Sequence, residues 1–173
     1  YKGPDMLLEA ARPLLESGAL EIEMVGDGPM LEPLKAIQFK GVTWRGWMAH
    51  KDVQSVLKTC HLLSFPSIRE FGGGVVLEAM ALGMPPLIVD YAGPGELVQS
   101  AWGIKVPIGP RGAIVSQFQR ELMALCADRS TLAPMGKAAH ARIESHFTWE
   151  RKADQIMQVY EWISSGGRAP EFF

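Results

Sequence analysis

Cysteine is scarce in this chain. Cys60 and Cys126 lie far apart, and neither stands in a CxxC pair. That speaks against a disulfide framework; their apolar neighbours point to reduced core thiols in a cytosolic protein, with a bridge between the two as the lesser reading. Long hydrophobic runs are missing too. The longest apolar region, Val75 to Val89, is interrupted by Glu78, Gly83, Pro85 and Pro86 and is too short to span a bilayer. No basic start followed by an apolar stretch suggests a signal peptide. An excess of charge of one sign is also lacking. The formal net charge is −2, so no broad basic field marks a nucleic-acid partner. The four histidines, His50, His61, His140 and His146, have no metal-ligand spacing.

What is present suits one soluble globular domain. A chain of 173 residues that is 47% hydrophobic and 21% charged can bury about 70% of its unfolded surface. Glycine and proline are somewhat rich, at 18 and 12, as tight strand–helix turns require. Apolar runs of strand length alternate with helical patterns. Helices are predicted over Asp5 to Ser17, Pro29 to Gln38, Asp52 to Thr59, Gly74 to Leu82 and Gly95 to Ser100. Pro13 inside the first predicts a kink or an early end. Strands are predicted over Leu20–Val25, Val42–Gly46, His61–Phe65, Leu87–Val89 and Ile104–Pro107. Glu21 and Glu23 alternate along the first, which suggests a wet face or an edge position. Ala113 to Ala127, Leu132 to Ser145 and Trp149 to Ser164 read as helices, and 166–173 as a disordered or appended tail. Five strands each followed by a helix imply right-handed crossovers, and so a Rossmann-like, doubly wound parallel α/β domain over residues 1–165. Ligands of such domains bind beyond the carboxyl ends of the strands.

At that edge, SIREFGGGVVLEAM (Ser67 to Met80) sets Glu70 and Glu78 around three glycines and a greasy helix start. Glycines let main-chain N–H groups approach a ligand, and a helix N-terminus favours an anion by about 0.3–1 kcal/mol. A diphosphate or sugar hydroxyls would suit those donors, and Glu78, one turn into the helix, could accept both hydroxyls of a ribose. The plain alternative is that both carboxylates are helix decoration, and on spacing alone the two readings stand level. The apolar neighbours of Glu78 tip the balance, because a partly buried carboxylate needs a partner. A hydrolase dyad fits poorly: its carboxyls flank one bond, about 5 or 6.5–9.5 Å apart, whereas a loop and the following helix suit different parts of one long ligand.

PSIREFGGGVVLEAMALGMPPLIVDYAGPGELV resembles the E-x7-E region of the family 4 glycosyltransferases, enzymes of the GT-B fold. VGDGP, VTWRGWMAHKDVQSVLKTCHLLSFPS and FTWERKADQIMQVY resemble other family segments in the same order, so the likeness runs from Lys2 to about Tyr160. It covers the C-terminal, donor-binding half. By that resemblance the N-terminal acceptor domain and the first strand of this half are expected to be missing from this sequence, with only Lys2–Gly3 matching the family's K-G that follows that strand. The resemblance implies a transferase moving a sugar from a nucleoside-diphosphate donor to an acceptor, with retention and without a metal or other cofactor. Glu70 would act on the donor sugar as the catalytic residue, and Glu78 would bind the ribose. Phe71, Gly72 and Gly73 would offer main-chain N–H groups. Lys2 would neutralise diphosphate, Arg45 would lie near the base, and Gly26 and Gly28 would let their loop approach the donor. The partners implied are the nucleotide sugar and the missing N-terminal domain, with no nucleic acid and no membrane-spanning segment. The place implied is the cytoplasm, or the inner face of a membrane reached through the missing domain. A non-catalytic nucleotide-sugar-binding domain and a related epimerase remain as alternatives.

Overall fold

The computed structural model describes residues 1–172; the last residue of the expected tail lies outside the described residues. In chain order the elements are α1 (Pro4–Ser17), β1 (Ile22–Val25), α2 (Leu31–Lys35), β2 (Val42–Gly46), α3 (His50–Leu57), β3 (Leu63–Phe65) and α4 (Gly74–Ala81). They continue as β4 (Pro86–Asp90), α5 (Ala92–Leu97), β5 (Ile104–Pro107), α6 (Arg111–Ala127), α7 (Leu132–His146) and α8 (Trp149–Ser165). Residues 166–172 carry no helix or strand.

The layering follows from β4. Its residues Pro86 to Val89 are all buried, as a strand covered on both faces must be. Leu87 and Val89 point into a core shared with α1 and α6, while Ile88, between them, packs with Val76 and Met80 of α4 and Ala139 of α7. The two-residue period of the strand thus sorts one apolar run into two cores, giving helix, sheet, helix. All strand pairs are parallel, as the alternation predicts. The strands nevertheless form two sheets, β1–β2 and β3–β4–β5, where the sequence predicts one.

Helix α1 is not cut by Pro13. It runs to Ser17 and ends on Gly18 in the left-handed conformation, whose N–H caps the carbonyls of Leu14 and Leu15. Leu14 and Leu15 follow the proline and are buried, so their packing holds the helix across the lost Glu9 hydrogen bond. Helix α5 begins at Ala92, earlier than predicted, and α2 and β3 are shorter than predicted. His61, the predicted first residue of this strand, is exposed ahead of β3. Helix α8 has no buried residue and turns Trp149, Ile156, Tyr160 and Ile163 outward. Cys60 and Cys126 are free, half-buried thiols. Burial pushes the Cys60 thiol up from its ordinary value. No helix of the described residues is long and apolar enough to cross a membrane.

Candidate functional site

Because the strands are parallel, the segments that follow them gather at one edge: 26–30 after β1, 47–49 after β2, 66–73 after β3, Tyr91 after β4 and 108–110 after β5. The β3–α4 segment is the most elaborate. Gly73 sits at φ 67° as the N-terminal cap of α4, a left-handed conformation that glycine adopts at no steric cost. Its α-carbon faces Pro94, so the cap is also pinned against α5. Gly93 is closer still. Its N–H donates to the Phe71 carbonyl over 3.1 Å. A Cβ there would lie 2.1 Å from that carbonyl oxygen, so only glycine fits. Phe71 itself is 97% exposed, offering its main chain to the loop and its ring to solvent.

Glu70 lies inside this frame. Its carboxylate accepts a hydrogen bond from Lys2 Nζ, which comes from a residue 68 positions away in sequence. The ammonium and the main-chain N–H groups of Gly73 and Phe71 hold the Glu70 carboxyl below the ordinary carboxylate range; the Lys2 bond is the largest cause, and burial opposes it. Lys2 also stands 5.3 Å from the Phe65 ring centroid and 5.5 Å from that of Tyr1. The chain start is tied to the same loop: Ile68 N–H donates to the Tyr1 carbonyl over 3.1 Å.

One turn into α4, Glu78 is half-buried and meets His50 Nε2 at 3.1 Å. Partial burial with a partner is what its apolar neighbours predict. The partner itself was not foreseen. His50 opens α3, four residues beyond the end of β2, and that position on the strand-end edge is the signal by which the sequence could have named it. The Lys2–Glu70 ion pair and the His50–Glu78 contact therefore lie along the start of α4.

The remaining predicted residues occupy the neighbouring loops. Gly26 N–H donates to the Gly46 carbonyl over 2.7 Å, joining the loops after β1 and β2. Gly26 and Gly28 take φ of 120° and 155°, and nothing lies within 4 Å of a Cβ built on either, which leaves open space above that edge. Arg45 is engaged along the sheet rather than with the paired carboxylates. Its Nε and Nη2 donate to Glu23 over 2.7 and 3.2 Å. Trp47 is exposed. Among the described residues no three His, Cys, Asp or Glu side chains stand together as a metal cluster. A shallow depression of about 460 Å³, lined by Lys58, Leu82, Lys137 and His140 among others, lies at the opposite end of α4.

The profile of the family described as "Glycosyl transferases group 1" matches residues 1–128. The chain belongs to the group 1 glycosyl transferases. Among curated relatives, a D-inositol 3-phosphate glycosyltransferase of Nocardia farcinica is 31% identical over 97% of this chain and 40% of its own length. A GDP-mannose-dependent monoacylated alpha-(1-6)-phosphatidylinositol monomannoside mannosyltransferase of Corynebacterium glutamicum is 26% identical over 92% of this chain and 44% of its own. The chain thus spans less than half the length of these group 1 relatives. The crystal structure of Anabaena Alr3699/HepE in complex with UDP superposes with a TM-score of 0.77 at 22% identity, over 95% of this chain and 46% of that one. This last likeness establishes a shared fold: the chain corresponds to one Rossmann-like half of a GT-B glycosyltransferase.

Proposed function

We propose that this chain is the donor-binding half of a glycosyltransferase that moves a sugar from a nucleoside diphosphate to an acceptor. The carrying observation is the convergence of Lys2 and Glu70 at the N-terminal end of α4, with Glu78 one turn further along the same helix. A bound donor would lie along that line. The diphosphate would face Lys2 and the N–H groups opening α4, where a cation and the helix dipole both favour anionic oxygens. The ribose diol would replace His50 as the partner of Glu78. The sugar would reach Glu70.

Transfer breaks the bond between the anomeric carbon and the diphosphate oxygen and forms one from that carbon to an acceptor hydroxyl oxygen. The diphosphate departs carrying the bonding electron pair. Lys2 and the α4 N-terminus are in place before that charge develops, so stabilising it demands little reorganisation. Glu70 is held ionised and supports positive charge growing on the sugar ring. The reading includes retention through front-face displacement, donor chemistry without a bound metal, and action in the cytoplasm or at the inner face of a membrane. The acceptor is held by the part of the enzyme that the relatives carry beyond this half.

Isothermal titration with UDP, GDP, ADP and their sugar conjugates tests the reading. One nucleotide should bind selectively, and Glu78→Ala should weaken it at least tenfold. Binding that ignores Glu78→Ala refutes the assigned ribose site, and the absence of binding by every nucleotide refutes this half as a self-sufficient donor site.

A further inference from the structure

The Glu70 loop rests on α5, a helix that its own residues do little to form. AGPGEL (Ala92–Leu97) carries two glycines and a proline in six positions, a composition that disfavours a helix. Ala92, its first residue, takes φ 47°, a left-handed conformation that crowds the Cβ of any L residue. Among the described residues Gln38 is the other non-glycine with positive φ. Strain of this kind persists only where the surroundings fix it, so the hold on α5 must come from outside the helix.

Two side chains of the segment 102–105 supply that hold. Trp102 Nε1 donates to the Leu97 carbonyl over 3.0 Å. Lys105 Nζ donates to the Asp90 carboxylate over 3.1 Å and to the Gly95 carbonyl over 3.2 Å. Asp90 ends β4 and Gly95 lies within α5, so one ammonium closes the turn on both sides of Gly93 and Pro94. The fit there is tight: a Cβ on Gly95 would lie 2.6 Å from the Asp90 carboxylate oxygen that Lys105 binds. The strand period explains why Lys105 is available. Ile104 and Val106 pack into the core with α1 and α6, which turns Lys105 to the other face of β5. There its neighbour across the sheet, Ile88, belongs to the core that contains Leu97 and Val98.

Gly93 and Pro94, between the two anchors, are the residues that meet the Glu70 loop. Gly93 N–H donates to the Phe71 carbonyl, and Pro94 Cγ lies 3.0 Å from where a Cβ on Gly73 would be. Phe71 and Gly73 are also the residues whose N–H groups, after the Lys2 ammonium, hold the Glu70 carboxyl below its ordinary range. A continuous line of contacts therefore runs from β5 to Glu70.

We propose that Lys105 is a positioning residue for glycosyl transfer: it holds the Asp90–Gly95 turn in its strained form and, through Gly93 and Pro94, keeps the Phe71 and Gly73 amides aimed at Glu70. Its bonds go to Asp90 and Gly95, so it acts through the turn rather than on the donor. The consequence for transfer rests on the role proposed above for Glu70; the hold on the loop does not.

Lys105→Met tests this, keeping an apolar stem and removing the ammonium. The ion pair is partly exposed, with 33% and 45% of its two side chains accessible, so Tm should stay within about 4 °C of the parent's. The Gly93 amide should exchange with solvent about tenfold faster as its bond to Phe71 loosens. The Glu70 carboxyl, followed by carbon-13 NMR titration, should move up towards the ordinary carboxylate range. Lys105→Arg can still donate to both Asp90 and Gly95 and should restore both readings. A folded Lys105→Met protein with parental Gly93 exchange and Glu70 titration overturns the proposal. So does a Lys105→Arg protein that behaves like Lys105→Met, because a cation at that place would then not be what holds the turn. Should Lys105→Met not fold, Asp90→Asn discharges the same contact and decides on the same two readings. Titration of the parent with UDP, GDP and ADP is a separate measurement: its failure refutes the donor site, while Gly93 exchange and the Glu70 titration still decide the hold of Lys105 on the loop.

Discussion

Gly93→Ala offers a direct probe of how the Glu70 loop is held. The new methyl would sit 2.1 Å from the Phe71 carbonyl oxygen and 3.0 Å from the main chain of Gly72, while the Gly93–Phe71 hydrogen bond spans 3.1 Å. Ordinary contact requires more than an ångström of further separation. Phe71 is exposed, whereas Pro94 beside Gly93 is buried, so the loop yields before the start of α5 does. The stability cost is then about 1–2 kcal/mol, the worth of one hydrogen bond and a modest displacement. For a chain of this size that lowers Tm by about 2–8 °C. The larger consequence falls on Glu70, whose carboxylate takes main-chain N–H groups from Phe71 and Gly73. Moving Phe71 removes one donor and strains the other, so the Glu70 carboxyl should titrate closer to the ordinary range. Carbon-13 carboxyl titration by NMR reads this directly, with calorimetric melting alongside. An unaltered Glu70 titration in a folded Gly93→Ala protein would refute the claim that this glycine positions the loop.

Three further outcomes are expected. Lys2→Met removes the largest cause of the lowered Glu70 pKa. The stability that pair contributes is complete above the unfolded carboxylate pKa and fades as pH falls through the folded one, so the variant's denaturant midpoint should decline less between pH 5 and pH 3 than the parent's. His50→Ala frees Glu78 from its 3.1 Å contact with His50 Nε2, a half-exposed contact of about 0–1 kcal/mol, and should tighten nucleotide binding by up to about fivefold in titration calorimetry; weaker binding would instead make His50 a ligand contact. Gly136→Ala places a methyl 2.0 Å from the Gly83 carbonyl oxygen where α7 crosses the end of α4, and overpacking of about 1–3 kcal/mol should lower Tm by several degrees despite alanine's better helix propensity.

The alternation of strand and helix was legible because burial on both faces leaves continuous apolar runs such as PLIVD. The parallel pairing followed from the crossovers. The break between the two sheets was not readable from those runs, because which strands pair changes hydrogen bonding without changing the strands' own residues. Pro13 misled for a related reason: propensity is local, while the burial of Leu14 and Leu15 that overrides it is tertiary. In the site, Glu70, Glu78 and the glycine-rich helix start could be named from the apolar neighbours of Glu78 and the resemblance to the family, since spacing alone left them level with helix decoration. His50 and Gly93 could not be singled out, since their importance lies in meeting residues from other segments, Glu78 and Phe71. Arg45 shows the converse: a cation beside the right loop spends its charge on a strand neighbour, Glu23.

The contact between Lys2 and Glu70 also bears on the order in which the molecule assembles. Its partners are 68 residues apart, so closing it fixes a long stretch of chain in return for one ion pair at the surface. Contacts of that kind contribute little until α1, β3 and α4 have already packed, and they belong to the late side of the folding barrier. Strengthening them should therefore slow unfolding while leaving the rate of folding nearly unchanged. The part of the molecule with the most chemical character would then be its last to form and its first to let go.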